Sequence, residues 1–220
     1  MSKSYYPMAF TEDVLDRQSH FGSRQAWDRA TRHQMGSGAA GDGPLPADPL
    51  TDDEREFLAG LDGFFLASMS RTGWPYVQLR GGPTGFIQTP DVHTIAWADF
   101  RGNRQYISAG NLRHDDRVAM FFIDHPRQLR LKVYGRARVS DADNSSALAQ
   151  PLERDGYVAH VEREVRVTVA AYDWNCAQHI TPRYTADELA PTMTRLVEEI
   201  SSLKAENARL RRGDDLREDF

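Results

Sequence analysis

The feature that most constrains this chain is a change of hydrophobic period. From Gly63 to about Tyr172, apolar residues recur in segments of four to eight, broken at short intervals by Gly, Pro, Asn and Asp. Alternation of that kind fits half-buried strands, and turns so close together send each strand back antiparallel to the one before. The pattern predicts strands over residues 64–70, 75–80, 85–88, 94–97, 117–123, 129–139 and 165–172, with Arg71-Thr-Gly73 as the first hairpin turn. The fold class this implies is mainly β (α+β): an antiparallel barrel with flanking helices. Between Asp99 and Asp116 the strand pattern lapses, and residues 103–113 leave room for about three helical turns.

Outside the strand zone the period is helical. Near the start, Phe10, Val14 and Phe21 sit among polar residues, with Thr11 as N-cap and Glu12 and Asp13 in the first turn. The Gly- and Pro-rich stretch at 36–49 reads as a linker or a surface-hugging arm. Thr51-Asp-Asp-Glu54 has capping-box spacing ahead of Phe57, Leu58 and Leu61. From Thr185 to Arg212 a last helix carries Met193, Leu196, Ile200, Leu203, Asn207 and Leu210 at alternating steps of three and four, the seam of a coiled coil. A lone Asn at an a position is a known device for fixing a parallel two-stranded register, which favours pairing between chains; packing of the stripe on its own barrel is the alternative. The expected organisation is an N-terminal helix and arm (1–50), a barrel domain (51–184) and a C-terminal coiled-coil-like helix with a charged tail (185–220).

Composition narrows the function classes. Cys176 is the one cysteine, which excludes an intrachain disulfide and a multi-cysteine zinc site and suggests a reducing compartment. No apolar run approaches a membrane span and the start lacks a signal-peptide core, so the expected location is cytoplasmic, without a membrane partner. The 32 acidic residues outnumber 27 basic ones, for a net charge of -5, which argues against a nucleic-acid partner. Of the basic residues 24 are Arg and 3 are Lys. Arginine suits planar, bidentate grips on phosphate or carboxylate; a compositional bias of the source genome is the plainer alternative.

Chemically capable residues gather at two turns. Asp99-Phe-Arg-Gly-Asn-Arg104 runs from a strand end through Gly into an expected helix start. There, free backbone N–H groups favour a phosphate and Arg101 and Arg104 add charged donors. The same Gly-Asn pair is also a common turn and cap. Trp74-Pro-Tyr-Val-Gln-Leu-Arg80 leads into Gly81-Gly82-Pro83, which reads first as a structural turn. If Arg80 lies beside Asn103, two arginines converge on one anion and the strand backbone offers amides to a planar ring. An ordinary edge-strand arginine is the alternative for Arg80.

In order and spacing, Phe64-Phe-Leu-Ala-Ser-Met-Ser-Arg-Thr-Gly-Trp-Pro75, Arg80-Gly-Gly-Pro-Thr-Gly-Phe86, Gly102-Asn-Arg104, Asn111-Leu, Asp116-Arg-Val-Ala-Met-Phe-Phe-Ile-Asp124 and Arg130-Leu-Lys-Val-Tyr-Gly-Arg-Ala-Arg138 resemble the pyridoxamine 5'-phosphate oxidase-like family of FMN-binding split β-barrels. The resemblance covers about residues 50–140. It implies an antiparallel split barrel, a homodimer and FMN at the subunit interface. Carried over by position, Tyr76, Val77, Gln78, Leu79 and Arg80 would run along the ring and phosphate, and Trp97, Ala98 and Asp99 would flank them. Gly102, Asn103 and Arg104 would hold the phosphate at a helix start, with Ser108 and Asn111 as further polar contacts. Arg130 or Lys132 would reach the ring edge from the other side. Gln78 and Pro83 stand at about the places where the vitamin oxidases proper carry Arg and Lys, and Gly-Asn-Arg replaces their Ser-Arg-Lys. The chain thus reads as a divergent member.

Asp173-Trp-Asn-Cys-Ala-Gln-His-Ile-Thr-Pro-Arg-Tyr184 follows the last strand. Cys176 and His179 have C-x-x-H spacing but no further ligands nearby, so no metal is expected. By the resemblance, Trp174, Asn175 and His179 would close the flavin pocket, with surface packing as the alternative. The functional expectation is an FMN-dependent oxidoreductase passing hydride between the ring and an unidentified small molecule. A flavin- or ligand-binding module without turnover, or the same barrel holding a deazaflavin or haem, is the alternative.

Overall fold

The computed structural model describes residues 4–31, 47–150, 157, 159–175 and 177–218. Seven strands form one sheet: β1 (Gly63–Met69), β2 (Pro75–Gly81), β3 (Gln88–Asp91), β4 (Thr94–Phe100), β5 (Arg117–Asp124), β6 (Leu129–Asp141) and β7 (Val161–Asn175). Their order is β2-β1-β5-β6-β7-β4-β3, and every described pairing is antiparallel. β2 and β4 are five ladder steps apart, which in a flat sheet would separate them by about 24 Å. Yet Arg80 on β2 donates to Asp99 on β4 at 2.7 Å, and Phe64 on β1 packs edge-on against Trp97 on β4 at 5.0 Å. The sheet is therefore rolled, a mainly β split barrel around Phe64, Leu66, Trp97, Met120, Phe122, Leu131, Val133 and the β7 valines.

The long β6–β7 ribbon bends at a bulge between Tyr134 and Gly135. A Cβ on Gly135 would lie 2.7 Å from the Thr168 carbonyl oxygen and would collide with Val167, so glycine is what allows the two strands to close there. Gly82 is equally constrained: a Cβ would stand 2.6 Å from the Phe86 ring, and the Gly81-Gly82-Pro83 turn packs on its own chain.

The first hairpin turn forms as expected, with Gly73 at φ +85 and its N–H on the Ser70 carbonyl at 2.9 Å. The expected strand at 85–88 does not form. Gly85 is left-handed (φ +88), Phe86 and Ile87 are both buried rather than alternating, and β3 begins at Gln88.

Helices α1 (Tyr5–Ala9), α2 (Glu12–His20), α3 (Arg24–Thr31) and α4 (Asp52–Ala59) precede the sheet. Most of the Gly- and Pro-rich stretch expected to be an arm lies outside the described residues. The Thr51 capping box forms, the Glu54 carboxylate accepting from the Thr51 N–H at 2.9 Å and from its hydroxyl. Chain contacts divide the protein into two compact units, Met1–Asp124 with Gln128–Gln178, and His125–Arg127 with His179–Phe220. The second contains α6 (Ala186–Glu218), which opens with a capping box: the Glu188 carboxylate accepts from the Thr185 N–H at 2.7 Å, and the Glu188 N–H donates to the Thr185 hydroxyl at 3.2 Å. Among the described residues no helix is long and apolar enough to cross a membrane.

Candidate functional site

A cleft opens where β2, the loop after β4 and the start of β7 meet. It is lined by Tyr76, Gln78 and Arg80 from β2, by Phe100 and 102–109, and by Glu162 and Arg163 from β7. Strand alternation decides which β2 residues reach it: Tyr76, Gln78 and Arg80 share the partly covered face, while Val77 and Leu79 point to the opposite, exposed face. Among the described residues β2 pairs only with β1, which leaves its outer backbone edge without a ladder there.

The cleft wall is built on Asp99. Its buried carboxylate accepts from Arg80 at 2.7 Å and, through the other oxygen, from Arg163 Nε at 2.9 Å and Nη2 at 2.7 Å. Asp99 thus anchors two guanidinium groups of the cleft. Glu162 pairs with Arg101 at 2.8 Å and with Arg163 at 3.3 Å. Arg101 holds its carboxyl below the ordinary value, and Arg163 adds to this. Burial opposes the charge of Arg163, but the Asp99 contact outweighs it and raises the pKa. Four arginines (80, 101, 104 and 163) face two carboxylates, leaving a local excess of positive charge. Arg80 Nε is buried with no hydrogen-bond partner. A buried donor left unanswered carries a desolvation cost, and an acceptor entering the cleft would relieve it.

The loop between β4 and α5 (Ile107–Leu112) differs from expectation. The three-turn helix over 103–113 is shortened to six residues, because Arg104 (φ +59) and Tyr106 (φ +54) adopt left-handed backbone, which interrupts helix. Gly102, Asn103 and Arg104 consequently lie in a loop, not at a helix start. The Asn103 side chain accepts from the Gln105 N–H at 3.1 Å, closing an Asx turn, and Arg104 Nε reaches the Tyr106 hydroxyl at 3.5 Å. Left-handed non-glycine residues in sequence are a strained arrangement of the kind that clusters at ligand clamps. Arg163 lies 4.9 Å from the Tyr106 ring centroid, and the Ser108 hydroxyl donates to Gln78 at 3.2 Å across the cleft floor.

The other expected site residues lie elsewhere. Trp97 is packed in the barrel core, and Ala98 belongs to a second apolar cluster with Ala96, Leu148, Ala149 and Val161. Every residue from Ile95 to Asp99 on β4 is buried, Trp97 on the barrel-core side and Ala98 on the opposite face, so of this strand Phe100 lines the cleft and Asp99 holds two of its arginines. Asn111 is also buried; its amide donates to the Ser68 hydroxyl at 3.1 Å and ties α5 to β1.

Arg130, Lys132, Trp174 and Asn175 sit at the far end of the β6–β7 ribbon. Arg130 pairs with Asn175, whereas Arg163 pairs with Asp141, so about 40 Å of extended β7 separates the two ends. Within one chain they do not join the cleft. Lys132 is covered by α1: it lies 4.9 Å from the Tyr5 ring and 3.2 Å from Asp173. Burial opposes its charge, but Tyr5 and Asp173 outweigh it and raise its pKa. The Trp174 indole donates to Glu54 at 2.6 Å and its ring packs on Phe57 at 4.7 Å. Arg130 Nε and Asn175 Oδ1, by contrast, are buried without partners. His179 has left-handed backbone (φ +66), and Cys176 lies outside the described residues.

Among the cleft residues that sequence reasoning missed, with Phe100, Tyr106 and Glu162, the most consequential is Arg163. Glu162-Arg-Glu164 reads as a solvated charged face, yet Arg163 is in phase with the buried Val161, Val165, Val167 and Val169. A charge in the inward phase of an alternating strand requires a partner, and that was the available signal.

None of the curated proteins matches this chain. Among solved structures, similarity extends to HupZ of Group A Streptococcus (13% identity, 61% of this chain and 99% of that one, TM-score 0.46). It also extends to a pyridoxinephosphate oxidase family protein of Clostridium acetobutylicum (10%, 62% and 94%, 0.41) and to an FMN-binding protein of Syntrophomonas wolfei (11%, 72% and 97%, 0.39). The family model described as pyridoxamine 5'-phosphate oxidase matches residues 50–173, more than half of the 220. Together with the split barrel, that match makes the chain a divergent member of the pyridoxamine 5'-phosphate oxidase-like family.

Proposed function

We propose that this protein binds FMN in the β2–β7 cleft and acts as a flavin-dependent oxidoreductase on a small molecule. The observation that carries this reading is the unanswered Arg80 Nε in a wall with an arginine excess, which fits a phosphate monoester. Arg80 and Arg104 would hold the phosphate. Gly102 and Asn103 would approach it with backbone, and Tyr76, Gln78 and Ser108 would contact the ring system along the outer edge of β2. Bound FMN would supply hydride acceptance and donation, while the chain orients the ring and keeps the phosphate neutralised.

A second copy of the chain completes the site in this proposal. Phe65, Met69, Val77 and Leu79 form an exposed apolar patch on β1 and β2, with Phe65 opposite Leu79 in register. Patches of that kind mark interaction surfaces. A homodimer formed there would cover Val77 and Leu79 and let Arg130 and Asn175 of the second copy, with their unanswered buried atoms, answer the flavin from the other side.

A flavin-binding module without turnover is the second reading. It is favoured by the carboxylates that touch the cleft, Asp99 and Glu162, both being engaged by arginines, which leaves neither as a ready proton carrier. Anaerobic NADH or NADPH separates the two: an enzyme loses the flavin absorbance and regains it in air, a module stays oxidised. For the site itself, the Arg80→Ala, Arg104→Ala double variant is expected to bind FMN about a hundredfold more weakly. Unchanged retention of FMN would sink the assignment.

A further inference from the structure

The seam of α6 specifies more than contact. From Leu189 to Leu210 its positions alternate steps of four and three, with leucine at each d position and Met193, Ile200 and Asn207 at a. The described apolar side chains of that seam are each between 43% and 57% exposed, a continuous stripe about 32 Å long. We infer that α6 forms a parallel, in-register, two-stranded coiled coil with a second copy of this chain.

Charge on the flanks fixes the direction. With Ile200 at a, the g positions are Glu199 and Glu206 and the e positions are Lys204 and Arg211. In a parallel pair each g residue faces the e residue five places further along the other helix. Glu199 then meets the second copy's Lys204, and Glu206 meets the second copy's Arg211, so each contact joins opposite charges and the two-fold symmetry doubles it. In an antiparallel pair g faces g and e faces e, setting glutamate against glutamate and Lys204 or Arg211 against another base.

Asn207 agrees with this direction. In register it meets its own copy, an arrangement that tolerates a polar a position, whereas reversed it would be set against an apolar residue. Its side-chain amide donates to the Leu203 carbonyl at 3.1 Å along the same helix. Ile200 at a with leucine at d selects two strands over three or four. This inference does not rest on FMN or on the β1–β2 patch.

Cross-linking of the full chain tests it. On a Cys176→Ser background, L189C and L210C are prepared separately, one carrying a tag of different mass, and oxidised mildly alone and mixed. The expected result is that L210C joins L210C and L189C joins L189C, with no L189C–L210C product above the level given by A205C on the outer face. A dominant L189C–L210C product would show an antiparallel pair and overturn the inference. Absence of any seam cross-link, with helicity intact by circular dichroism, would also overturn it. As a second readout, E199K/E206K should lower L210C self-linking about fivefold or more, and mixing with a K204E/R211E chain should restore it. Self-linking indifferent to both charge reversals would remove the argument for direction.

Discussion

The two ends of the β6–β7 ribbon are both rich in polar side chains but dispose of them differently. At one end α1 and α4 clasp the sheet. Glu54 answers Thr51 and the Trp174 indole, Lys132 lies between Tyr5 and Asp173, and the Tyr172 hydroxyl donates to the Pro49 carbonyl at 3.1 Å. At the other end, Asp99 satisfies part of an arginine cluster, Arg80 Nε is left over, and Arg104 stands exposed on left-handed backbone. Density of polar residues therefore does not mark the ligand site; what distinguishes the cleft is an unanswered guanidinium donor, Arg80 Nε, in a wall with an excess of arginine. By that criterion Lys132 and Trp174 belong to the clasp, and Arg130, with Nε unanswered beside the unanswered Asn175 Oδ1, resembles the cleft although it shares a strand end with the clasp.

The comparison can be broken first at Asp99. Asp99→Ala leaves Arg80 without its carboxylate and Arg163 with Glu162 alone, and a loss of about 3–5 kcal/mol in denaturant unfolding is expected. A loss under about 1 kcal/mol would mean the cluster is solvent-relaxed and the cleft wall is not built on that carboxylate. At the clasp, Glu54→Ala strands the buried indole N–H and is expected to cost about 1–3 kcal/mol while FMN affinity stays within twofold. A large loss of FMN from that variant would join the two ends into one site.

The clasp also has a pH signature. Burial, with the nearby Glu54 and Asp48 carboxylates, pushes the Tyr172 phenol up to about 12. The unfolded chain releases that proton near pH 10 and the folded chain later, so stability should fall as pH rises from about 10 to 12, by about 2 kcal/mol. Tyr172→Phe should flatten that limb of a pH-dependent unfolding series. At the acid side burial opposes ionisation of Glu54, but the hydrogen bonds its carboxylate accepts from Thr51 and the Trp174 indole hold its carboxyl below the ordinary value. Its contribution is present above about pH 4.5 and lost as pH falls through the folded pKa, and Glu54→Gln should reduce that acid loss. The smallest expected change in stability is at Arg104: Arg104→Ala should leave the unfolding midpoint unmoved yet weaken FMN about tenfold by titration. Equal FMN affinity would take Arg104 out of the site.

The barrel was legible because alternation is local: six of the seven predicted strands match observed ones over most of their length, and the seventh, 85–88, meets β3 only at Gln88, because Gly85 turned left-handed and two consecutive large residues both went inward. The Thr51 capping box was legible for the same reason. The cleft was legible in part. Tyr76, Gln78 and Arg80 follow from strand phase, but the partners of Asp99 lie 19 and 64 residues away and meet it only because the sheet rolls. Phase also misled: Val77 and Leu79 share the Arg80 strand but not its face. Trp174 looked available because its partner Glu54 lies 120 residues earlier.

The most direct test of the central claim is an FMN titration, followed by flavin fluorescence, of the apoprotein and of Arg80→Ala/Arg104→Ala, with Glu54→Ala alongside. The account predicts saturable binding by the wild type, a loss of about a hundredfold in the arginine pair and none at Glu54. No binding by the wild type, or loss at Glu54 with the arginine pair unaffected, would contradict it.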